Sequence, residues 1–144
     1  MQQRARLLEK IQLLIEDSDG ELPLVTLDDF FLGNNDNESL GTGARKKEDL
    51  SVEEIYKKLK QIEKLPNVYV VLVHIHEDWE MSLDNPEIWP ASDNVYIYTM
   101  APIKVVKQWT IALPCEVYDG WIDSMILSAP SVPPGYFVYT LRWN

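Results

Sequence analysis

The sequence holds a single cysteine, Cys115, and only two histidines, His74 and His76, in 144 residues. One cysteine forms no internal disulfide, and without a Cys-x-x-Cys spacing there is no signature of a zinc finger or a dithiol redox pair. Long apolar runs are lacking too. Leu7, Leu8, Ile11, Leu14 and Ile15 are interrupted by Glu9, Lys10 and Gln12, so no signal-peptide core forms, and no stretch approaches the ~18 residues of a membrane span. The expectation is a cytoplasmic protein in a reducing compartment. Positive charge is scarce as well: 13 Lys and Arg stand against 23 Asp and Glu, for a net charge of −10 and a pI near 4.5. That sign is wrong for holding a phosphate backbone or an anionic bilayer, so neither nucleic acid nor membrane is expected as a partner.

What is present suits an ordinary globular chain, with 46% apolar and 25% charged residues, and the length is that of one domain over residues 1–144. Residues 2–15 place five apolar side chains on one helical face, and Gly20 stops that helix behind an acidic cluster, Glu16, Asp17 and Asp19. Those acids sit at the unfavourable negative end of the helix dipole. Thr26 caps a short helix from Leu27, with Asp28 and Asp29 at its favourable end and Phe30, Phe31 and Leu32 as apolar contacts. Residues 34–43 read as a loop, rich in Asn, Asp, Ser and Gly. Ser51 with Glu54 is a capping box, after which Val52, Ile55, Leu59 and Ile62 recur at helical spacing until Pro66.

Residues 68–76 are apolar on both alternating faces, which predicts a central strand covered on both sides. Residues 94–100 predict a second strand. A helix from Pro102 follows, with Val105, Val106, Trp109, Ala112 and Leu113 on one side and Pro114 as its stop. Residues 136–143 predict the last strand. The order α-α-α-β-β-α-β points to an α+β fold, a small, largely antiparallel sheet of three to five strands with helices mainly on one face. Connections 77–93 and 115–134 exceed the length of structureless loops, so each holds function or a short element, with 121–127 as the apolar place for one in the second.

The charge is uneven. Residues 11–44 carry −8 and residues 65–103 carry −6, neither with a single Lys or Arg. The plain reading is a solvated acidic surface that aids solubility. The functional reading is an acidic docking face for a basic protein, since one-signed fields speed encounter and exclude wrong partners. On that reading the contact residues are Asp36, Glu38, Asp78, Trp79, Glu80, Asp84 and Trp89. Trp79, between two acids, is the better aromatic anchor, whereas Trp89, beside Pro90, suits an inward lid on the core. Calcium is a weak reading of residues 34–38, whose spacing is not that of an EF-hand loop.

His74-x-His76 supplies the alternative. Residues i and i+2 of a strand point the same way, so both imidazoles can reach one metal ion with Glu77 as a third ligand, as in a metal-dependent enzyme or small-ligand domain. A strand end opening into polar surroundings explains the pair equally well. Cys115 is a nucleophile only with a base in reach, and otherwise a small buried apolar residue. Residues 41–47, G-T-G-A-R-K-K, lack the Gly-Lys-Ser/Thr of a phosphate loop and follow no strand. No motif calls for a cofactor, and none is expected.

Three segments carry a likeness: T-L-D-D-F-F with G-N over 26–34, Trp89-Pro90 with the N-V-Y-I-Y-T strand, and G-Y-F-V-Y running to Trp143. Together they resemble a group of small acidic bacterial proteins of unassigned activity, over residue 24 to the C-terminus. In size, acidity and lack of a catalytic signature the chain is also similar to bacterial immunity proteins, which implies a non-enzymatic role in silencing a toxin.

Overall fold

Two capping boxes set two of the helices. Thr26 Oγ1 accepts from the Asp29 N–H while the Asp29 carboxylate accepts from the Thr26 N–H, starting α2 (Leu27–Phe31); Ser51 and Glu54 do the same for α3 (Val52–Glu63). Each box satisfies two backbone donors that a helix start leaves open. The chain is described here from a computed structural model over residues 2–40, 50–122 and 125–143. The phosphate-loop comparison at residues 41–47 therefore falls outside the described residues.

The first helix, α1 (Gln2–Asp17), is followed by a short strand, β1 (Leu24–Thr26), that leads directly into α2. After α3 come β2 (Val68–His74), a 3-10 turn (Glu77–Glu80), α4 (Met81–Asp84), β3 (Asn94–Thr99), α5 (Ile103–Trp109), β4 (Cys115–Asp119) and β5 (Phe137–Trp143). The strands form one antiparallel sheet in the order β1-β2-β3-β5-β4. The α+β fold expected from the sequence is correct. The middle of the sheet, however, is β3, buried at every position, while β2 lies one place off centre.

Both long connections hide structure. The first holds the 3-10 turn and α4; the second begins with β4, and the described residues of 121–127 form no helix or strand. The two added strands explain the difference. β1 has three residues, too few for periodicity, and β4 is an edge strand whose Glu116, Tyr118 and Asp119 are exposed. The helix at Pro102 ends at Trp109 rather than near Leu113: the Thr110 hydroxyl donates back to the Val106 carbonyl at 3.1 Å, and the Leu113 N–H donates to the Thr110 carbonyl in a turn instead of continuing the helix. Such side-chain bonding competes with helix continuation.

One row of side chains across the sheet, Val25, Val73, Val95, Leu141 and Val117, faces the helices. Leu7 and Ile11 of α1, Phe30 and Phe31 of α2, the four apolar residues of α3 and Val106 of α5 cover it. On the opposite face Tyr96, Tyr98 and Val138 are covered by Trp121, Ile126 and Ala129 of the segment between β4 and β5. Glu21 holds that segment in place, its carboxylate accepting from Leu127 and Ser128 N–H at 2.8 and 3.0 Å.

Candidate functional site

The two acid-only stretches meet in space. Trp89 N–H donates to Asp36 Oδ2 at 3.1 Å, Ser92 N–H donates to the Ser39 carbonyl at 2.8 Å, and Leu40 bridges to Ser92. Arg4 ties the same region to α1, its guanidinium donating to the carbonyls of Ile88 (3.1 Å), Asn85 (2.8 Å) and Ser82. Between these segments lies a cleft of about 460 Å³ lined by Arg4, Asp36, Asn37, Glu87 and Trp89.

Local chemistry explains the rim. Asn34 Oδ1 accepts from Asp36 N–H and Asp36 Oδ1 from Glu38 N–H, which folds residues 37–39 into a 3-10 turn. These oxygens, read above as calcium donors, are thus committed to the backbone. Glu38, Asp84 and Glu87 are exposed, and Asp36 is half-buried. Trp89 is buried, only 5% exposed, the inward lid that its neighbouring prolines suggest. Trp79 is a correction. It is only 7% exposed and packs in the main core, because the 3-10 turn directs it opposite to the exposed Asp78 and Glu80 beside it. It anchors the excursion to the protein, not a partner to the surface.

A second site lies at the end of the sheet. One residue along from the apolar row, and pointing to the other face, run Leu24, His74, Asn94, Arg142 and Glu116. His74, Asn94 and Arg142, with His76, Glu77 and Asp93, line a cavity of about 180 Å³. His76 Nδ1 accepts from Asp78 N–H at 3.1 Å, so in the neutral imidazole the hydrogen sits on Nε2, which faces Asp93 Oδ2 at 3.2 Å. Both ring nitrogens are occupied, leaving no lone pair for a metal ion in this arrangement. Among the described residues no group of three His, Cys, Asp or Glu is placed to hold one. Sequence reasoning found both histidines and missed Asp93, Asn94 and Arg142. A polar residue inside an otherwise apolar strand, Asn94 in N-V-Y-I-Y-T and Arg142 in Y-T-L-R-W, is the signal that identifies two of them.

Electrostatics separates structural acids from available ones. The Tyr56 hydroxyl, donating at 2.6 Å, and Lys60 hold the Asp28 carboxyl below its usual range. Burial opposes ionisation of Asp29, but Lys10 and Thr26 outweigh it and its pKa is lowered. Burial pushes the Cys115 thiol up to about 12, with Glu116 adding to the shift and Thr110 opposing it. At neutral pH such a thiol is protonated and a poor nucleophile.

The profile described as the Uncharacterized protein YfbO family matches residues 2–141, nearly the whole described chain. The chain belongs to that family. A relative from Escherichia coli (strain K12), the uncharacterized protein YfbO, is 29% identical over 132 residues, covering 90% of this chain and 89% of its own length. The likeness to bacterial proteins of unassigned activity is therefore correct, and it extends beyond residue 24 to include α1. No solved structure matches this YfbO-family chain. No helix among its described residues is long and apolar enough to cross a membrane.

Proposed function

We propose that this YfbO-family chain is a non-enzymatic, cytoplasmic binding protein that docks a basic protein on the acidic rim of the cleft between residues 34–38 and 84–89, in the manner of a toxin-immunity protein. The observation that supports this reading is the junction of the two acid-only stretches through Asp36 and Trp89, which sets the segment carrying Asp36 and Glu38 beside the one carrying Asp84 and Glu87. Asp28 and Asp29, by contrast, are matched by Lys60 and Lys10. Acids of one sign around a preformed cleft, with no ion pair among the described residues, steer a cationic surface and give it a register. Exposed Asp78 and Glu80 extend the negative surface along the chain.

The test is affinity capture from the native host at low and at high salt, with the wild type beside a Glu38→Gln/Asp84→Asn/Glu87→Gln variant. A basic protein retained at low salt, released at high salt and lost from the variant is the expected result. Asp36 is left unchanged because it caps a turn. A captured partner indifferent to both salt and the triple substitution, or no basic partner at all, overturns the reading.

A further inference from the structure

The two edges of the sheet are finished differently. Gly120 N–H donates to the Val138 carbonyl at 2.8 Å, and these residues stand opposite each other when the β4–β5 register is continued. Bonded pairs alternate along an antiparallel ladder, so Glu116 and Tyr118 also bond to β5, while the N–H and C=O of Val117 and Asp119 and the C=O of Cys115 point away from the sheet. The other side of β5 agrees: Trp143 N–H donates to the Asp93 carbonyl, which turns the alternate residues toward β3. At the opposite edge Ile75 N–H bonds to Pro23 and sets the same alternation, and there the outward Thr26 N–H is taken by the Asp29 carboxylate of the α2 capping box. β4 has no such closure. It carries neither proline nor lysine, and its pairing runs without a register shift; proline, lysine and bulges are devices by which sheets blunt an open edge.

An edge of this kind takes up an extended strand, and a second copy of β4 fits it in both register and charge. Antiparallel pairing about a two-fold axis at Val117 sets Val117 against its own copy and Cys115 against Asp119. Val117 then bonds in both directions across the axis, and Asp119 N–H meets the Cys115 carbonyl at each end. Asp119 lies on the same sheet face as Val117, the face toward the helices, where α5 packs on β4. Lys107 of α5 and Cys115 line one depression on that side. The pairing therefore carries the exposed Asp119 of one copy toward the exposed Lys107 of the other, and neither has an ion pair among the described residues. Net charge does not oppose the approach here. The chain is acidic over residues 11–44 and 65–103, but over 104–144 Lys104, Lys107 and Arg142 balance Glu116, Asp119 and Asp123. Ile111, exposed on the rim of the depression, adds apolar surface. We propose that this chain forms a two-fold dimer through its β4 edges, joining two five-stranded sheets into one continuous sheet, with Lys107 of each copy facing Asp119 of the other. The proposal does not rest on the acidic-cleft reading.

Light scattering behind size exclusion, together with amide hydrogen exchange of the full chain, tests this. The wild type is expected to be a dimer at a concentration on the order of 100 µM, a range that modest association reaches. On dilution to the monomer the Val117 and Asp119 amides are expected to exchange faster, while those of Tyr118 and Gly120, bonded to β5, stay protected. Val117→Pro removes an outward donor and no bond to β5, and is expected to leave a folded monomer. Should that variant not fold, charge decides. Lys107→Glu and Asp119→Lys are each expected to weaken dimerisation about tenfold, since the two-fold axis repeats the contact, and the two together to restore it, with the melting temperature of the dilute monomer unchanged. A monomer at the higher concentration, which leaves the edge to a strand from a different protein, overturns the proposal. So does a dimer indifferent to all three substitutions, a double charge variant that associates no more tightly than the single ones, or exchange at Val117 and Asp119 that ignores dilution.

Discussion

Two rows of the same sheet, one residue apart, differ in almost every respect. Val25, Val73, Val95, Leu141 and Val117 face the helices; Leu24, His74, Asn94, Arg142 and Glu116 face the other way. The first row is uniformly apolar and lies under α1, α2, α3 and α5. The second is polar at four of five positions and lines the cavity at its centre. Hydrophobic burial on one face is enough to fix strand register, since a slip of one residue exchanges the two rows. With the register so determined, the second face is free to carry polar groups, and its cover is an irregular segment instead of a helix.

The sharpest test of this contrast exchanges the character of neighbouring positions. Val95→Asn places an amide among aliphatic side chains and is expected to cost about 3 kcal/mol, from lost burial and an unmet amide. Chemical denaturation measures it. Asn94→Leu, the next residue, is expected to change stability by less than about 1 kcal/mol in either direction, because the buried oxygen it removes has no donor among the described residues to lose. Equal costs at the two positions would erase the distinction between the rows. On the second face, Trp121 is half-buried against Tyr96 with ring centroids 4.6 Å apart. Trp121→Ala is expected to cost about 1–2 kcal/mol, less than a fully buried aromatic, by the same measurement.

The smallest effect concerns the attachment of that cover. Burial raises the Glu21 pKa, but hydrogen bonds from Ser128 and Leu127 and the charge of His74 outweigh it, so the net shift is downward. A carboxyl with a lowered folded-state pKa contributes stability that is complete above its ordinary range and is lost as pH falls through the folded value. Glu21→Gln is therefore expected to lower the melting temperature slightly near pH 7. The difference from wild type should vanish in acid, below the usual glutamate range; a difference that persists there would assign the effect to packing instead.

The elements legible in the sequence are those with local causes. The α3 core positions Val52, Ile55, Leu59 and Ile62 are all buried as their spacing predicts, and both capping residues act as read. The missed strands have no such cause within themselves: β1 is held by pairing with β2, and β4 by pairing with β5. The candidate sites divide the same way. Acid-only stretches and paired histidines are visible in one dimension. The 3-10 turn that buries Trp79, and the pairing that sets Asn94 between His74 and Arg142, are not.

The sequence by itself determined the α+β class, the helix starts and the negative charge, because periodicity, side-chain caps and composition act within a few residues of one another. Only the tertiary structure decided that residues 36 and 89 share one cleft, that His76 turns its Nε2 toward Asp93, and that a polar row lines a cavity. Those arrangements depend on which segments pack together, and packing is settled by the whole core rather than by any one stretch of chain.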